Sequence, residues 1–129
     1  MNEPKRILVI EDDPILRDLL AEWLLAAGYR VGVAAEGAAG IADARAHCPA
    51  LVVTDMQMPG TGGAAVISEI GRIQPRIPVI AISAHFRSGH GLTPDEVIAH
   101  GAARALAKPF RRKDLVGAVS ELVGPPLAA

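Results

Sequence analysis

The chain has 129 residues, half of them apolar, and a formal charge of -1 from 13 basic and 14 acidic residues. This length suffices for one hydrophobic core but not for a second domain of ordinary size, so we expect one domain over residues 1–124 and a short tail over 125–129. The near-neutral charge excludes a global field that would attract nucleic acid or an anionic membrane, and we expect neither as a partner.

The compartment is indicated by three features of the sequence. Cys48 is the only cysteine, so no intrachain disulfide can form. Lys5 and Arg6 lead into a run of only about four apolar residues, which is too short for a secretory signal, and no apolar run approaches the roughly 18 residues of a membrane span. These features favour a cytoplasmic protein, and Met1 just before the first strand favours a natural start.

Short apolar segments of strand length alternate with helical segments along the chain. The first strand is predicted at residues 7–10, and the first helix begins at Pro14 after the capping residue Asp13 and closes at Gly28. One face of this helix is apolar and is expected to enter the core; it contains Leu16, Leu19, Leu20, Trp23, Leu24 and Ala27. The remaining strands are predicted at 29–34, 51–54, 79–82 and 104–107, and the remaining helices at 38–47, 64–73, 94–100 and 111–123.

The clearest strands are almost continuously apolar, which is typical of strands buried on both faces. Five βα units of this kind favour an α/β fold, in which helices cover both sides of a parallel sheet. The fourth helix follows Thr93-Pro94-Asp95-Glu96, a sequence that predicts a capping box at its start.

Polar side chains follow the predicted strands at the points where they end. Glu11 and Asp12 come directly after the first strand, Asp55 ends the third, Ser83 ends the fourth and Lys108 ends the fifth. The carboxyl ends of parallel strands meet at one edge of the sheet, where α/β proteins bind their ligands. The sequence therefore predicts a site at this edge.

Three carboxylates brought together repel one another, and a hard divalent cation with oxygen ligands such as Mg²⁺ relieves that repulsion. A carboxylate can also attack phosphorus to form an acyl phosphate if cations neutralise the transition state, and Lys108 is the obvious cation. The Ser83 hydroxyl and the backbone N–H groups of Met56 and Ala84 could then donate to phosphoryl oxygens.

Four motifs carry a family resemblance: Ile-Leu-Val-Ile-Glu-Asp-Asp-Pro at 7–14, Asp-Met-Gln-Met-Pro at 55–59, Ile-Ser-Ala at 82–84 and Ala-Lys-Pro-Phe at 107–110. In this order and spacing they resemble the receiver domains of two-component response regulators, of the stand-alone single-domain type. The resemblance implies a flavodoxin-like (βα)5 three-layer sandwich, with a parallel five-stranded sheet of order 2-1-3-4-5.

The resemblance also implies roles for residues and partners. Asp55 is the expected phosphoacceptor; Glu11, Asp12, Asp55 and the Gln57 carbonyl are the expected Mg²⁺ ligands; and Lys108 is expected to precede a cis bond to Pro109. The phosphoryl group would come from a histidine kinase or a phosphotransfer protein. An unknown output protein would bind the domain according to whether Asp55 is phosphorylated. We expect a signalling switch rather than a turnover enzyme, and a monomer or weak dimer.

Two departures from the family pattern fall in one region. Ala105 stands three residues before Lys108, where the family usually has an aromatic ring that swings inward on activation. The segment from Ser83 to Gly101 is a few residues longer than the family pattern, which predicts an enlarged loop and a short fourth helix. We hypothesise that this Gly-rich loop replaces the ring as the element that reorders. Gly62 replaces a common acidic residue and should affect only the start of the third helix.

Several alternatives stay open at this point. His85 could act near the water that attacks the acyl phosphate, although a solvated loop histidine is the simpler interpretation. A metal site from His85 and His90 is rejected because no further ligand lies at a suitable spacing. The chain could be a degenerate receiver that only binds other proteins, or a receiver excised from a hybrid kinase or multidomain regulator. A phosphatase or phosphotransferase would need an acid where Gln57 stands.

Overall fold

Five parallel strands form a single sheet in the order β2-β1-β3-β4-β5. The structure is a computed structural model, and it describes residues 4–89 and 91–126. The strands are β1 (Arg6–Ile10), β2 (Arg30–Ala34), β3 (Leu51–Asp55), β4 (Val79–Ser83) and β5 (Arg104–Ala107). The predicted strand order and the flavodoxin-like fold are confirmed.

The described helices are α1 (Pro14–Ala26), α2 (Gly37–His47), α3 (Gly63–Ile73), α4 (His85–Ser88), α5 (Pro94–Ala99) and α6 (Arg112–Val123). Five of them match predicted helices to within about two residues at each end. The Asp13 side chain accepts a hydrogen bond from the backbone N–H of Ile15 at 2.9 Å, which confirms the predicted cap of α1. None of the helices in the described part of the chain is long and apolar enough to cross a membrane.

Two apolar clusters cover opposite faces of the sheet, because successive side chains of a strand point to opposite sides. Leu8 and Ile10 of β1 pack with α2, α3 and α5. Ile7 and Val9 of the same strand pack with α1 and α6. The predicted three layers are therefore present. The strands β3 and β4 are fully buried and β1 is buried from Ile7 onwards, and these strands carry most of the site at their carboxyl ends.

The apolar face predicted for α1 is wider than the face that the helix buries. Leu20 and Leu24 are fully buried, but Leu19 is 38% exposed and Trp23 is only half-buried. The prediction that both enter the core is therefore wrong for Leu19 and only partly right for Trp23. The reason is geometric: the sheet contacts a narrow stripe of the helix, and the flanking apolar residues remain at the surface.

The segment between β4 and β5 contains the predicted long loop and short helix, and one element that was not predicted. The helix α5 has six residues, and the capping box of Thr93 and Glu96 is formed. The additional element is α4, a single turn that ends at Gly89 with a φ of 77°. Four residues are too few to show an apolar periodicity, so the sequence does not predict this turn. His90 lies outside the described residues.

The predicted boundary between the domain and the tail lies just after α6. The helix ends at Val123, and the carbonyl oxygen of Gly124 accepts a hydrogen bond from the Tyr29 hydroxyl at 3.0 Å. Residues 127–129 lie outside the described part of the chain, and the division into a domain of 1–124 and a tail of 125–129 stays a prediction.

Candidate functional site

An acidic cluster lies at the carboxyl ends of β1 and β3. Carboxylate oxygens of Glu11, Asp12 and Asp55, one from each residue, all lie within 4.8 Å of one another, and this is the one such group of possible metal ligands among residues 4–89 and 91–126. Glu11 and Asp55 are buried, whereas Asp12 is exposed. The structure therefore brings together the three carboxylates that the sequence analysis selected.

Glu11 is held from three sides. Its backbone N–H donates to the carbonyl of Ala34 at 3.0 Å, and its Oε2 accepts from the backbone N–H of Asp13 at 3.1 Å. Its Oε1 accepts from Lys108 Nζ at 2.8 Å. Burial raises the pKa of Glu11, and the bonds from Lys108 and Asp13 only partly oppose this effect.

Lys108 reaches the cluster from the end of β5. Its ammonium nitrogen lies 2.8 Å from Glu11 Oε1 and 3.3 Å from Asp55 Oδ1. Burial by itself would lower the pKa of Lys108, but the hydrogen bond that Lys108 donates to Glu11 and the negative charges of Asp55 and Glu11 outweigh it, so the pKa is raised. The lysine therefore stays charged between two carboxylates. The bond from Lys108 to Pro109 is cis, as predicted.

The backbone after Asp55 contributes one amide to the site and one to the sheet. Asp55 is 3% exposed, and the backbone N–H of Gln57 donates to its Oδ1 at 3.2 Å. The backbone N–H of Met56 donates to the carbonyl of Ile82 at 2.9 Å. The predicted contact of Met56 with a phosphoryl oxygen would require this N–H to leave or share that bond. The backbone N–H of Gln57, which sequence reasoning did not select, is the one that faces the Asp55 carboxylate, and the role predicted for Met56 stays a prediction.

Ser83 lies at the end of β4 and is fully buried. Its hydroxyl donates to the side-chain oxygen of Gln57 at 2.6 Å, and its Oγ accepts from the backbone N–H of His85 at 2.9 Å. The side chain of Gln57 was not expected in this position, because sequence spacing does not fix a rotamer. Ala84 and His85 are exposed at the start of α4. The roles predicted for Ala84, His85 and the Gln57 carbonyl stay predictions.

The arrangement has the charge balance of a cation site. Three carboxylates face one ammonium group, and a divalent cation would cancel the remaining two negative charges. The oxygen donors are hard, in agreement with the preference of Mg²⁺. A buried carboxylate next to a cation and to backbone donors is also suited to nucleophilic attack on an electrophile that carries negative oxygens.

An apolar groove of about 460 Å³ runs from this site along α1. Its walls include Ile15, Leu19 and Trp23 of α1, Pro109 and Phe110 of the segment after β5, and Lys108 of the acidic site. Ile15 is 80% exposed and Leu19 is 38% exposed, so the groove presents neighbouring large apolar side chains at the surface. The rings of Trp23 and Phe110 meet edge to face at 6.3 Å.

The sequence pattern of the response regulator receiver domain matches residues 7–120. Among curated proteins, the chain is 31% identical to the chemotaxis protein CheY of Thermotoga maritima over 119 residues, which cover 92% of this chain and 97% of CheY. It is 35% identical to the transcriptional regulatory protein PdtaR of Mycobacterium tuberculosis over 119 residues, covering 90% of this chain and 55% of PdtaR.

The transcriptional regulatory protein GlrR of Escherichia coli is 34% identical over 122 residues, which cover 93% of this chain but only 26% of GlrR. The chain thus spans about a quarter of GlrR and about half of PdtaR. Among solved structures, a response regulator receiver domain protein from Clostridium thermocellum superposes with a TM-score of 0.84 at 26% identity, covering 92% of this chain and 94% of that one. The fold, the strand-end residues and the match over residues 7–120 together show that the chain belongs to the response regulator receiver domain family.

Proposed function

We propose that this receiver domain is a phosphorylation switch in which Asp55 accepts a phosphoryl group in a Mg²⁺-dependent reaction. The observation that carries the proposal is the convergence of Glu11, Asp12 and Asp55 within 4.8 Å, with Lys108 bonded to two of them. The donor is a histidine kinase or a phosphotransfer protein. The domain changes the state of a partner and does not turn over a substrate.

The proposed reaction uses residues that already face one another. A carboxylate oxygen of Asp55 attacks the phosphorus, the bond from phosphorus to the donor's imidazole nitrogen breaks, and the imidazole leaves with that electron pair. The Lys108 ammonium and the Gln57 N–H stabilise the negative charge that develops on the phosphoryl oxygens. Ser83 and the Ala84 N–H are further donors. Water later hydrolyses the acyl phosphate.

Mg²⁺ would be held by the carboxylates of Glu11, Asp12 and Asp55 and by the Gln57 carbonyl. When bound, it supplies positive charge to the phosphoryl oxygens. The residues fit such an ion because the three carboxylates converge and only one ammonium group offsets their charge. The same arrangement argues against the degenerate receiver. Burial of Glu11 and Asp55 costs free energy, and a module that only binds other proteins would gain nothing from it.

A protein donor suits the surface next to the site. The groove along α1 exposes Ile15 and Leu19, and Lys108 of the acidic site is part of its wall. An apolar helix surface that presents a phosphohistidine could therefore bury these side chains while the phosphohistidine reaches Asp55. The particular kinase, the output protein, a monomeric or weakly dimeric state, the absence of nucleic acid and membrane partners, and a cytoplasmic location stay predictions.

The decisive experiment is intact mass spectrometry after incubation with Mg²⁺ and acetyl phosphate. We expect the mass of one added phosphoryl group in the parent protein, and no addition in Asp55→Asn or in the presence of a chelator. Asp95→Asn, which alters an exposed acid on α5, is the matched control and should keep the adduct. Absence of an adduct with acetyl phosphate, carbamoyl phosphate and phosphoramidate alike would favour the interaction module instead.

A further inference from the structure

Each polar group of Glu11 has a hydrogen-bond partner, and one of these partners is the side chain of Arg17. Arg17 Nη1 donates to the backbone carbonyl of Glu11 at 3.2 Å. The N–H of Glu11 is bonded to the carbonyl of Ala34, and its carboxylate accepts from Lys108 and from the N–H of Asp13. Through the Arg17 bond, a side chain of α1 holds the loop that joins β1 to α1.

The bond to the Glu11 carbonyl also orients Asp12. The carbonyl of Glu11 and the N–H of Asp12 belong to one peptide unit, which is planar and nearly rigid. A bond that fixes the carbonyl therefore fixes the direction in which the Asp12 backbone begins. Arg17 is itself well anchored, because it lies in the first turn of α1 and its N–H donates to the carbonyl of Asp13 at 2.8 Å.

Asp12 depends on such a restraint more than the other two carboxylates of the cluster do. Glu11 and Asp55 are buried and both contact Lys108, whereas Asp12 is exposed. Repulsion by the two buried carboxylates and hydration of its own charge both favour an Asp12 side chain that turns away into the solvent. The bond from Arg17 opposes the part of this movement that requires the backbone to turn.

The guanidinium group of Arg17 is bonded to a neutral carbonyl, whereas Lys108 pairs directly with carboxylates. The Arg17 bond therefore occupies none of the clustered carboxylate oxygens, and it leaves them available to a cation. The positive charge of Arg17 by itself would repel a divalent cation. The charge of this residue and its effect on the loop thus act on cation binding in opposite directions, which makes them separable by experiment.

We propose that Arg17 is a positioning residue for the Mg²⁺ site, which holds the peptide between Glu11 and Asp12 so that the Asp12 carboxylate lies next to Glu11 and Asp55. This inference rests on the proposed function. With the bond in place the loop is formed before the ion arrives, so little ordering opposes binding. Without it, only a fraction of the molecules has the loop in the binding orientation, and the apparent Kd rises by the inverse of that fraction.

The test is a titration of ¹⁵N-labelled protein with Mg²⁺ in the absence of any phosphoryl donor. The amide resonances of residues 11–13 and 55–57 give the Kd, and the whole spectrum shows that each variant is folded. Arg17→Met keeps an unbranched apolar side chain and removes the donor. We expect its Kd for Mg²⁺ to be about three- to tenfold higher than that of the parent protein, as for the loss of one hydrogen bond.

Two further variants separate orientation from charge. Arg17→Lys keeps the positive charge and a donor on a shorter side chain, so its Kd should lie between those of the parent protein and Arg17→Met. Arg72→Met is the matched control, because it removes the same charge from a side chain of α3 that is 80% exposed. Its Kd should stay within about twofold of the parent value, as for a screened surface charge.

The rate of adduct formation with acetyl phosphate provides a second readout that a merely structural role of Arg17 would not change. Arg17→Met should need about three- to tenfold more Mg²⁺ to reach its half-maximal rate. At saturating Mg²⁺ its rate should come within about twofold of the parent rate, because Arg17 is bonded to the Glu11 backbone and not to the carboxylate that reacts.

Two results would overturn the inference, and they differ in what they say about the proposed function. An Arg17→Met protein that binds Mg²⁺ as tightly as the parent protein, or more tightly, would overturn the positioning role and leave the switch chemistry in place. A parent protein whose resonances do not respond to Mg²⁺ and which forms no adduct would overturn both proposals.

Discussion

Tyr29 is the only tyrosine of the chain, and its side chain is 3% exposed. Its hydroxyl donates to the carbonyl of Gly124 at 3.0 Å. This bond connects the residue before β2 to the residue after α6. Burial raises the pKa of Tyr29, and a hydrogen bond with Ser120 only partly opposes the rise. The folded state therefore favours the protonated, neutral form of the Tyr29 side chain.

We predict that Tyr29→Phe lowers the free energy of unfolding by about 0.5–1.5 kcal/mol near neutral pH, since one buried hydrogen bond is lost. The difference should shrink as the pH rises. The folded pKa lies above the unfolded value of about 10, so between these two values the unfolded tyrosine loses its proton while the folded one keeps it, and the parent protein loses stability. Urea unfolding at several pH values measures the difference.

The absorbance of tyrosinate provides an independent check on the same residue, because no other tyrosine contributes. The titration midpoint in the folded parent protein should lie above that of the protein in denaturant. A midpoint equal to the denatured value would show that Tyr29 is not buried as described.

At the scale of single residues, sequence reasoning predicted the charged members of the site but not all of their contacts. Glu11, Asp12, Asp55 and Lys108 could be selected because each follows an apolar strand, and the ends of parallel strands meet. The bond from Ser83 to Gln57 could not, because it depends on a side-chain rotamer.

At the scale of elements, the predictable parts were those with a long apolar pattern or a recognised cap. The capping residue Asp13 and the capping box at Thr93 placed the starts of α1 and α5. The single turn α4 has no such pattern, and its first residue is bonded to Ser83, a contact made through the fold. The exposure of Leu19 likewise depends on how closely α1 approaches the sheet.

The start of α3 depends on a glycine that lies against the site. A Cβ on Gly63 would lie 2.7 Å from the Cα of Met56 and 2.8 Å from the backbone oxygen of Asp55, neither of which can move freely. We predict that Gly63→Ala lowers the free energy of unfolding by about 1–3 kcal/mol through overpacking, and slows formation of the Asp55 adduct with acetyl phosphate. Chemical denaturation and the rate of mass gain measure the two effects.

Gly62 is the matched control for this prediction, since it is the preceding residue and no heavy atom lies within 4 Å of its Cβ position. Gly62→Ala should lower the free energy of unfolding by no more than about 0.5–1 kcal/mol, because alanine is a poorer N-cap of α3 than glycine, and it should leave the rate of adduct formation unaltered. Equal effects of the two substitutions would contradict the close approach of α3 to Asp55.

At the scale of the whole molecule, the fold concentrates negative charge at one edge of an otherwise nearly neutral protein. The formal charge is -1, yet three carboxylates share one small region with a single lysine. Two carboxylates at about 4.8 Å repel each other by roughly 3–4 kcal/mol at an effective dielectric constant of about 20. This repulsion opposes folding, and a cation that binds only the folded arrangement relieves it.

Mg²⁺ should therefore stabilise the folded protein in proportion to its binding. At a concentration 100 times its Kd, we predict an increase of about 2.7 kcal/mol in the free energy of unfolding, which corresponds to about 10 °C in Tm for a domain of this size. Asp12→Asn removes one of the three clustered carboxylates and should abolish most of the increase. Asp13→Asn is the matched control: it removes the neighbouring charge but keeps the side-chain oxygen that caps α1, so the increase should persist. Differential scanning calorimetry at graded Mg²⁺ measures all three proteins, and an equal response of Asp12→Asn and Asp13→Asn would show that the ion does not bind at this cluster.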